Sequence, residues 1–314
     1  MRITLLFILF FNYLATFKAA GQNPNYLFNQ LTLQHGLSEG TIRNIMEDKD
    51  GYMWFGTEDG LNKFNGYEFV VYKRSFSDHY SISDNRPKTL FLDAKSRLWI
   101  TTFRGVNLYD PIQDKFYNFN SPDYPALRSL DKDIESMLQT KDGHFWFCDK
   151  YGLYEVRSLY HASSHYSQKF SSHPLFLKMK VTSDGWMWIG CRDGLCKFDM
   201  KKKVFYDLRK KYGSGYQVND IVEKEDGTLW IATNKGVKVI NEQKGIFEEI
   251  IHLENNPFSI IGNNIVKIVK ASDGNYLFAV DGSGLDYLNV QQNKFYHYSQ
   301  ESDCQLNCNN ITTL

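Results

Sequence analysis

The chain has 314 residues, 36 Lys and Arg against 36 Asp and Glu, and 16% aromatic residues. The balanced charge excludes the broad basic surface of a nucleic-acid binder, and 42% hydrophobic residues exclude a disordered chain. Because aromatic side chains favour pleated, half-buried surfaces, the composition predicts an all-β fold. We expect this segment to bind no nucleic acid.

Residues 1–21 are predicted to be a cleaved signal peptide. Arg2 precedes an apolar stretch, and Ala19 and Gly21 supply the small residues that signal peptidase prefers. A membrane-spanning helix needs roughly 20 apolar residues, more than this stretch contains, so the length favours a cleaved peptide. An uncleaved N-terminal anchor is the alternative. We therefore expect a periplasmic or secreted protein. Residues 22–39 follow as an N-terminal outer strand and a lead-in to the first repeat.

A repeat dominates the rest of the chain. Trp54 recurs at intervals of 45, 47, 42, 42 and 47 residues, with Leu277 in the sixth copy. A glycine follows each of these residues by six positions, or by seven in the sixth copy. The repeated tryptophans are Trp54, Trp99, Trp146, Trp188 and Trp230, and the glycines are Gly60, Gly105, Gly152, Gly194, Gly236 and Gly284.

Each copy is predicted to form four short β-strands, which in the first copy cover residues 42–47, 52–57, 61–64 and 67–73. Four strands in a period near 45 residues are typical of a β-propeller blade. A single blade cannot cover both of its apolar faces, so we expect the tryptophan to fill the gap between neighbouring blades. We expect the glycine to allow the tight turn into the third strand.

The chain is predicted to contain six blades and the start of a seventh, as in an incomplete seven-bladed propeller. The blade ranges are about 40–80, 81–125, 126–174, 175–212, 213–257 and 258–300, with residues 309–314 beginning the next blade. We expect a truncated, open arc whose exposed edges need a partner to complete the ring. A closed six-bladed ring, capped on blade six by the N-terminal strand, is the alternative.

The copies starting at Trp54, Trp188 and Trp230 resemble the two-component regulator propeller repeat, as does His35-Gly36-Leu37-Ser38 before the first blade. The resemblance covers roughly residues 27–314. It implies the periplasmic sensor region of a hybrid two-component system, of the kind that polysaccharide-degrading gut bacteria use in phosphorelay signalling. It also implies an oligosaccharide ligand derived from a glycan, and further sensor domains as partners. The family's full-length members carry a histidine kinase, which these residues lack.

The turns after the tryptophan strands are predicted to gather at one rim and to bind the ligand. Arg104 and Arg192 suit bidentate recognition of acidic groups, although ordinary solvated turns are the alternative. The candidate residues are Glu58, Asp59, Arg104, Lys150, Tyr151, Arg192, Asp193, Asn234, Lys235 and Asp281.

The sequence contains no nucleophile elbow, zinc-protease motif or P-loop, so we expect no catalytic residue, metal or cofactor. Two alternatives to the sensor remain: a secreted lyase or hydrolase acting on polysaccharide, and a non-catalytic interaction scaffold. Residues 157–174 are expected to replace the outer strand of blade three. Their histidines, His161, His165 and His173, are either metal ligands or part of a Ser-rich connection.

The five cysteines allow two interpretations. The spacings Cys191 to Cys196 and Cys304 to Cys308 permit two disulfides, with Cys148 left over. Cys148 and Cys191 take the places that Gly56 and Thr57 have in the first copy, which favours a packing role for both.

Overall fold

The computed structural model describes residues 30–167, 175–300, 306 and 311–314. In these residues the chain forms six four-stranded antiparallel sheets, each built from strands that follow one another in the sequence. The first sheet contains β1 (Ile42–Glu47), β2 (Met53–Thr57), β3 (Gly60–Phe64) and β4 (Phe69–Tyr72). The second contains β5 (Pro87–Leu92), β6 (Leu98–Thr102), β7 (Gly105–Asp110) and β8 (Lys115–Tyr117). The third contains β9 (Ser136–Gln139), β10 (Phe145–Cys148), β11 (Gly152–Val156) and β12 (Ser164–Ser167).

The other three sheets repeat this order. The fourth contains β13 (Phe176–Val181), β14 (Met187–Cys191), β15 (Gly194–Asp199) and β16 (Val204–Asp207). The fifth contains β17 (Val218–Glu223), β18 (Leu229–Thr233), β19 (Gly236–Asn241) and β20 (Ile246–Ile250). The sixth contains β21 (Ile265–Lys270), β22 (Tyr276–Val280), β23 (Gly284–Asn289) and β24 (Lys294–Tyr298). The prediction of an all-β propeller with six four-stranded blades is confirmed.

Short helices lie in the connections between elements. A 3-10 helix covers Leu33–His35, α1 covers Pro125–Arg128 and α2 covers Arg209–Tyr212. No helix in the described ranges has the length and apolar character needed to cross a bilayer. The predicted signal peptide and most of the predicted N-terminal strand lie outside the described residues.

The expectation that residues 157–174 replace the outer strand of blade three is wrong. Strand β12 pairs with β11 over the whole of its length, from Gly152 opposite Ser167 to Glu155 opposite Ser164. Its side chains alternate as in any strand. Tyr166 stacks near Trp146 with ring centroids 5.8 Å apart, while His165 stacks on Tyr154 at 4.5 Å. The serines around these two aromatic contacts hid the strand pattern.

The repeated tryptophans lie between sheets, and each is at most 6% exposed. The indole of Trp99 packs on Phe145 and Phe147 of the third sheet, with centroid distances of 4.7 and 6.1 Å. The indole of Trp146 meets Phe198 of the fourth sheet at 5.6 Å. Each tryptophan thus covers the face of the sheet that follows it in the chain, and this packing joins the blades.

The turn glycines are required for two different reasons. Gly105 has φ 92°, and a Cβ on it would lie 2.7 Å from the carbonyl oxygen of Leu130. Gly152 has no positive φ, but a Cβ there would lie 2.6 Å from Nε2 of His165. At the first position both the backbone angle and the space demand glycine, whereas at the second position only the space does.

A buried polar network fixes the segment before each of the first two sheets. The backbone N–H of Ser83 donates to Oδ1 of Asn107 at 2.9 Å, and Nδ2 of Asn107 donates to Oγ of Ser83 at 2.8 Å. The Ser83 hydroxyl also lies 2.9 Å from Oγ1 of Thr102. Ser38, Asn62 and Thr57 repeat these three contacts in the first sheet. The Leu37-Ser38 sequence therefore belongs to the repeat structurally.

Residues 311–314 lie between the sixth sheet and the first. Ile311 and Leu314 pack with Leu306 against the sixth sheet, where Tyr287 is buried. The hydroxyl of Thr312 donates to the carbonyl oxygen of Ile42 at the start of β1. The side chain of Asn219 makes the same kind of contact with Ile265 in the next sheet, at 2.7 Å. The seventh blade itself, and the incompleteness of the propeller, stay predictions.

Replacing Trp99 by alanine should lower the free energy of unfolding by about 3–5 kcal/mol, because it removes a fully buried indole between two sheets. Urea denaturation followed by circular dichroism would measure the change. Ile112→Ala is the control, since Ile112 is 94% exposed and its loss should change stability by less than about 0.5 kcal/mol. Equal stabilities for the two variants would contradict the role assigned to the tryptophan.

Candidate functional site: the mouth of the central channel

A cavity of about 550 Å³ lies between the first strands of the sheets. Five of the six sheets contribute to its wall through their first strands, and Glu135, which directly precedes β9, and residues 311–313 complete it. Turn residues Glu58 and Asp281 stand at its mouth. The wall residues that carry charge are Arg43, Lys88, Glu135, Lys178 and Lys267. We call this cavity the central channel.

Bulges in the innermost strands aim side chains at the channel. The register of β1, β5, β13, β17 and β21 with their neighbours shifts near the start of each strand. In a regular strand consecutive side chains face opposite sides, but a bulge re-aims one of them. Consecutive pairs such as Leu177 and Lys178, or Val266 and Lys267, therefore both line the channel.

Most charges in the channel wall are paired across neighbouring blades. Nζ of Lys88 lies 3.0 Å from Glu135 and also binds Asp133. Lys150, one of the predicted rim residues, donates to the same Asp133 at 3.1 Å. Burial alone would raise the pKa of Asp133, but the hydrogen bonds from the two lysines hold it below its usual value. Lys267 pairs with Asp220 at 3.2 Å.

The predicted rim residues divide into engaged and free side chains. Glu58 pairs with Arg43, and Asp59 accepts from Lys73 at 2.6 Å. Four others are engaged with nearby groups: Lys150, Asp193, Asn234 and Asp281. The side chains of Arg104, Arg192 and Lys235 are exposed and have no hydrogen bond or ion pair within the described ranges. Tyr151 is 60% exposed.

The residues of the channel wall are not among those predicted from the sequence. Arg43, Lys88, Glu135 and Lys267 read as ordinary polar positions of half-exposed strands, because the bulges cannot be seen in the sequence. One signal was available, namely a charged residue between two apolar neighbours near the start of a strand, as in Leu177-Lys178-Met179.

A second cleft, of about 830 Å³, opens at the opposite rim between the third and fourth sheets. The carboxylate of Glu155, 3% exposed, accepts hydrogen bonds from Arg157 at 3.2 Å, Tyr166 at 2.8 Å and Lys203 at 3.1 Å. Burial opposes ionisation, but these donors outweigh it and lower the pKa of Glu155 to about 2. Because Lys203 belongs to the fourth sheet's last turn, the cluster ties two blades together.

A matching ion pair joins the fourth and fifth sheets. Glu242 accepts from Lys197 at 2.5 Å, from Lys211 at 2.7 Å and from Tyr212 at 2.8 Å. Burial again opposes ionisation, and the lysines and the phenol outweigh it, so the pKa of Glu242 falls to about 2. Both carboxylates are therefore ionised throughout the neutral and mildly acidic range.

The three described cysteines, Cys148, Cys191 and Cys196, are buried free thiols. The sulfur atoms of Cys191 and Cys196 lie 3.7 Å apart without a bond, so this permitted disulfide is not formed. Cys304 and Cys308 lie outside the described residues, as does His173. Among the residues whose positions are described, no three His, Cys, Asp or Glu side chains are grouped to hold a metal ion.

Comparisons with known proteins agree with this architecture. The family model described as two component regulator propeller matches residues 36–59 and 212–235. Histidine kinase P4 of Formosa agariphila is 42% identical over 76 residues, which are 24% of this chain and 6% of that protein.

Solved structures share the fold. The extracellular domain of the putative hybrid two component system BT3049 from B. thetaiotaomicron has a TM-score of 0.76 and 24% identity, over 92% of this chain and 39% of that one. Virginiamycin B lyase from Staphylococcus aureus has a TM-score of 0.60 and 12% identity, over 84% and 86% of the two chains. PorZ of Porphyromonas gingivalis has a TM-score of 0.58 and 18% identity, over 79% and 39%.

The fold and the repeated sheets define a β-propeller. More particularly, two segments of the chain match the two-component regulator propeller repeat, which confirms the resemblance given by the tryptophan copies. It spans 6% of the kinase and 39% of the extracellular domain that it resembles.

The carboxylate clusters around Glu155 and Glu242 predict how stability depends on pH. A carboxylate whose pKa is lowered on folding stabilises the protein above its unfolded pKa, and this contribution disappears as pH falls through the folded value. Because the pKa values of Glu155 and Glu242 fall from 4.5 to about 2 on folding, the stability should decrease as the pH is lowered from about 5 to about 2.

The double variant Glu155→Gln, Glu242→Gln should be less stable than the wild type at pH 7 and should lose less stability on acidification. Thermal denaturation across this pH range measures both effects. Glu254→Gln is the control, since Glu254 is exposed and should leave the pH profile unchanged. An unchanged acid slope in the double variant would show that other groups cause the acid sensitivity.

Proposed function

We propose that this propeller is the ligand-receiving part of an extracellular sensor region in a two-component system, and that it binds without catalysing. The repeat family and the likeness to the BT3049 extracellular domain support this assignment. The kinase relative supports the link to phosphorelay signalling. A location in the periplasm or outside the cell follows from the same proposal.

The proposed ligand is an oligosaccharide bound at the mouth of the central channel. The observation that carries the proposal is the position of the free rim side chains. Arg104 and Arg192 extend from turns of the second and fourth sheets on the rim where the channel opens. Free guanidinium groups can donate paired hydrogen bonds to hydroxyl or acidic groups of a sugar without breaking an existing contact.

We also propose that a further blade, from other sensor domains or from a partner, covers the outer face of the first sheet. Phe55, Phe64 and Phe69 on that face are partly exposed. The residues that match Phe55 in the other five sheets are completely buried by their neighbours: Ile100, Phe147, Ile189, Ile231 and Phe278. An apolar sheet face of this kind is normally covered in a propeller.

The ligand proposal is tested by replacing the two free arginines. Arg104→Ala and Arg192→Ala should each weaken oligosaccharide binding by about tenfold, since each removes charge-assisted hydrogen bonds. Both side chains are exposed, so the thermal midpoint should stay within about 1–2 °C of the wild type. A glycan array would identify binders, and isothermal titration calorimetry would measure their Kd.

Lys95→Ala supplies the control, because Lys95 is an exposed cation in a turn at the opposite rim. Undiminished binding by the double arginine variant would remove both residues from the site. If no oligosaccharide on the array bound the wild type, the proposed ligand class would be wrong.

A further inference from the structure

Lys178 differs from the other cations of the central channel. Arg43, Lys88 and Lys267 each pair with a carboxylate. Lys178 lines the same channel on β13, and within the described part of the chain its Nζ has no ion pair and no hydrogen bond. The segment just before β13, residues 168–174, contains no Asp or Glu.

Asp220 and Glu135 are the two carboxylates whose charges act on Lys178, and both are paired with other groups. Glu135 lies 3.0 Å from Nζ of Lys88. Asp220 lies 3.2 Å from Nζ of Lys267 and accepts from the backbone N–H of Ile268 at 3.3 Å. Their attraction for Lys178 is therefore already balanced by closer donors.

Burial makes the charge on Lys178 costly. It lowers the pKa of the amine more than Asp220 and Glu135 raise it, and Lys267 lowers it further. A partly buried cation without a counter-ion destabilises a fold, and such residues are typical of sites that receive a ligand. A methionine has a similar length and would avoid this cost.

A second unsatisfied donor belongs to the same cavity. Nε of Arg43 is buried and has no hydrogen-bond partner among the described residues, although the guanidinium also pairs with Glu58 through NH2. Arg43 is on the first sheet and Lys178 on the fourth, and both line the central channel. Two positively charged groups with unused N–H donors thus belong to one cavity.

We propose that the central channel is an oxyanion site in which Lys178 binds a sulfate or carboxylate group carried by an acidic oligosaccharide. This inference rests on the proposed function for the nature of the ligand. The oxyanion supplies the counter-ion that the channel wall lacks, and the hydrogen bonds it forms are charge-assisted. Rim residues such as Arg104 would then hold the rest of the sugar.

The experiment uses sodium sulfate and sodium galacturonate as probes, with sodium chloride at matched ionic strength as the reference. Calorimetry and thermal denaturation are carried out on the wild type, Lys178→Met, Lys178→Arg and the control Lys95→Met. We expect saturable binding of at least one probe by the wild type, by Lys178→Arg and by Lys95→Met. We expect Lys178→Met to bind that probe at least about tenfold more weakly.

Lys178→Met should also have the higher thermal midpoint in chloride, because it removes an uncompensated charge, which shows that its weaker binding is not a folding defect. Sulfate alone would point to a sulfated sugar and galacturonate alone to a uronic acid, and either result supports the site. Equal binding by Lys178→Met and the wild type, or no saturable binding by the wild type, overturns it.

The outcomes separate this inference from the proposed function. Oligosaccharide binding that persists in Lys178→Met, without binding of either probe by the wild type, overturns the oxyanion site and leaves the sensor proposal intact. Saturable probe binding that depends on Lys178, with no oligosaccharide bound, supports the anion site and overturns the proposed ligand.

Discussion

Every sheet of this protein is apolar on both faces, and this constraint governs the rest of the structure. A sheet of that kind is most stable when both of its faces are covered, so the sheets pack face to face around an axis rather than in a stack with one solvated side. In the first five sheets the tryptophan of the second strand fills the space to the next sheet, as Trp99 does against Phe145. Backbone hydrogen bonds join the strands within a blade, whereas apolar packing joins one blade to the next.

Polar contacts between blades add specificity to this apolar packing. In the first two blades, Asp48 and Asp93 act within their own blade, where they accept from the indole N–H groups of Trp54 and Trp99 at 2.7 and 3.0 Å and so orient the side chains that meet the next sheet. In later blades this position is Thr, Lys or Ala, and ion pairs such as that of Glu242 with Lys197 link neighbouring sheets. Because ion pairs and hydrogen bonds depend on distance and direction, such contacts favour one relative placement of two neighbouring sheets over all others.

The blades could be predicted from the sequence, because the residues that form them lie close together in the chain and recur in each copy. Trp54 and Gly60 keep the same spacing in copy after copy, and each copy has a turn signal on either side. Strand β12 was not predicted, because its four residues include two serines, Ser164 and Ser167, and show no apolar alternation. The channel wall escaped it because Lys178 reaches the axis through a bulge, and a bulge is set by the pairing of two strands. Whether Arg104 has an ion-pair partner likewise depends on which side chains lie near it in the folded structure, and the sequence does not give this.

Because of the bulges at the start of the innermost strands, different residues pack against the neighbouring sheets and line the central channel. Residues that cover a neighbouring sheet are constrained in size and shape, and a change there costs stability. Residues at the bulges, such as Leu177 with Lys178 and Val266 with Lys267, line the open axis instead, where they are not packed into the face of a neighbouring sheet. A scaffold with this arrangement can exchange lysine for asparagine, leucine or aspartate around its axis while its walls stay as they are. Blades of one kind can thus surround openings that select quite different molecules.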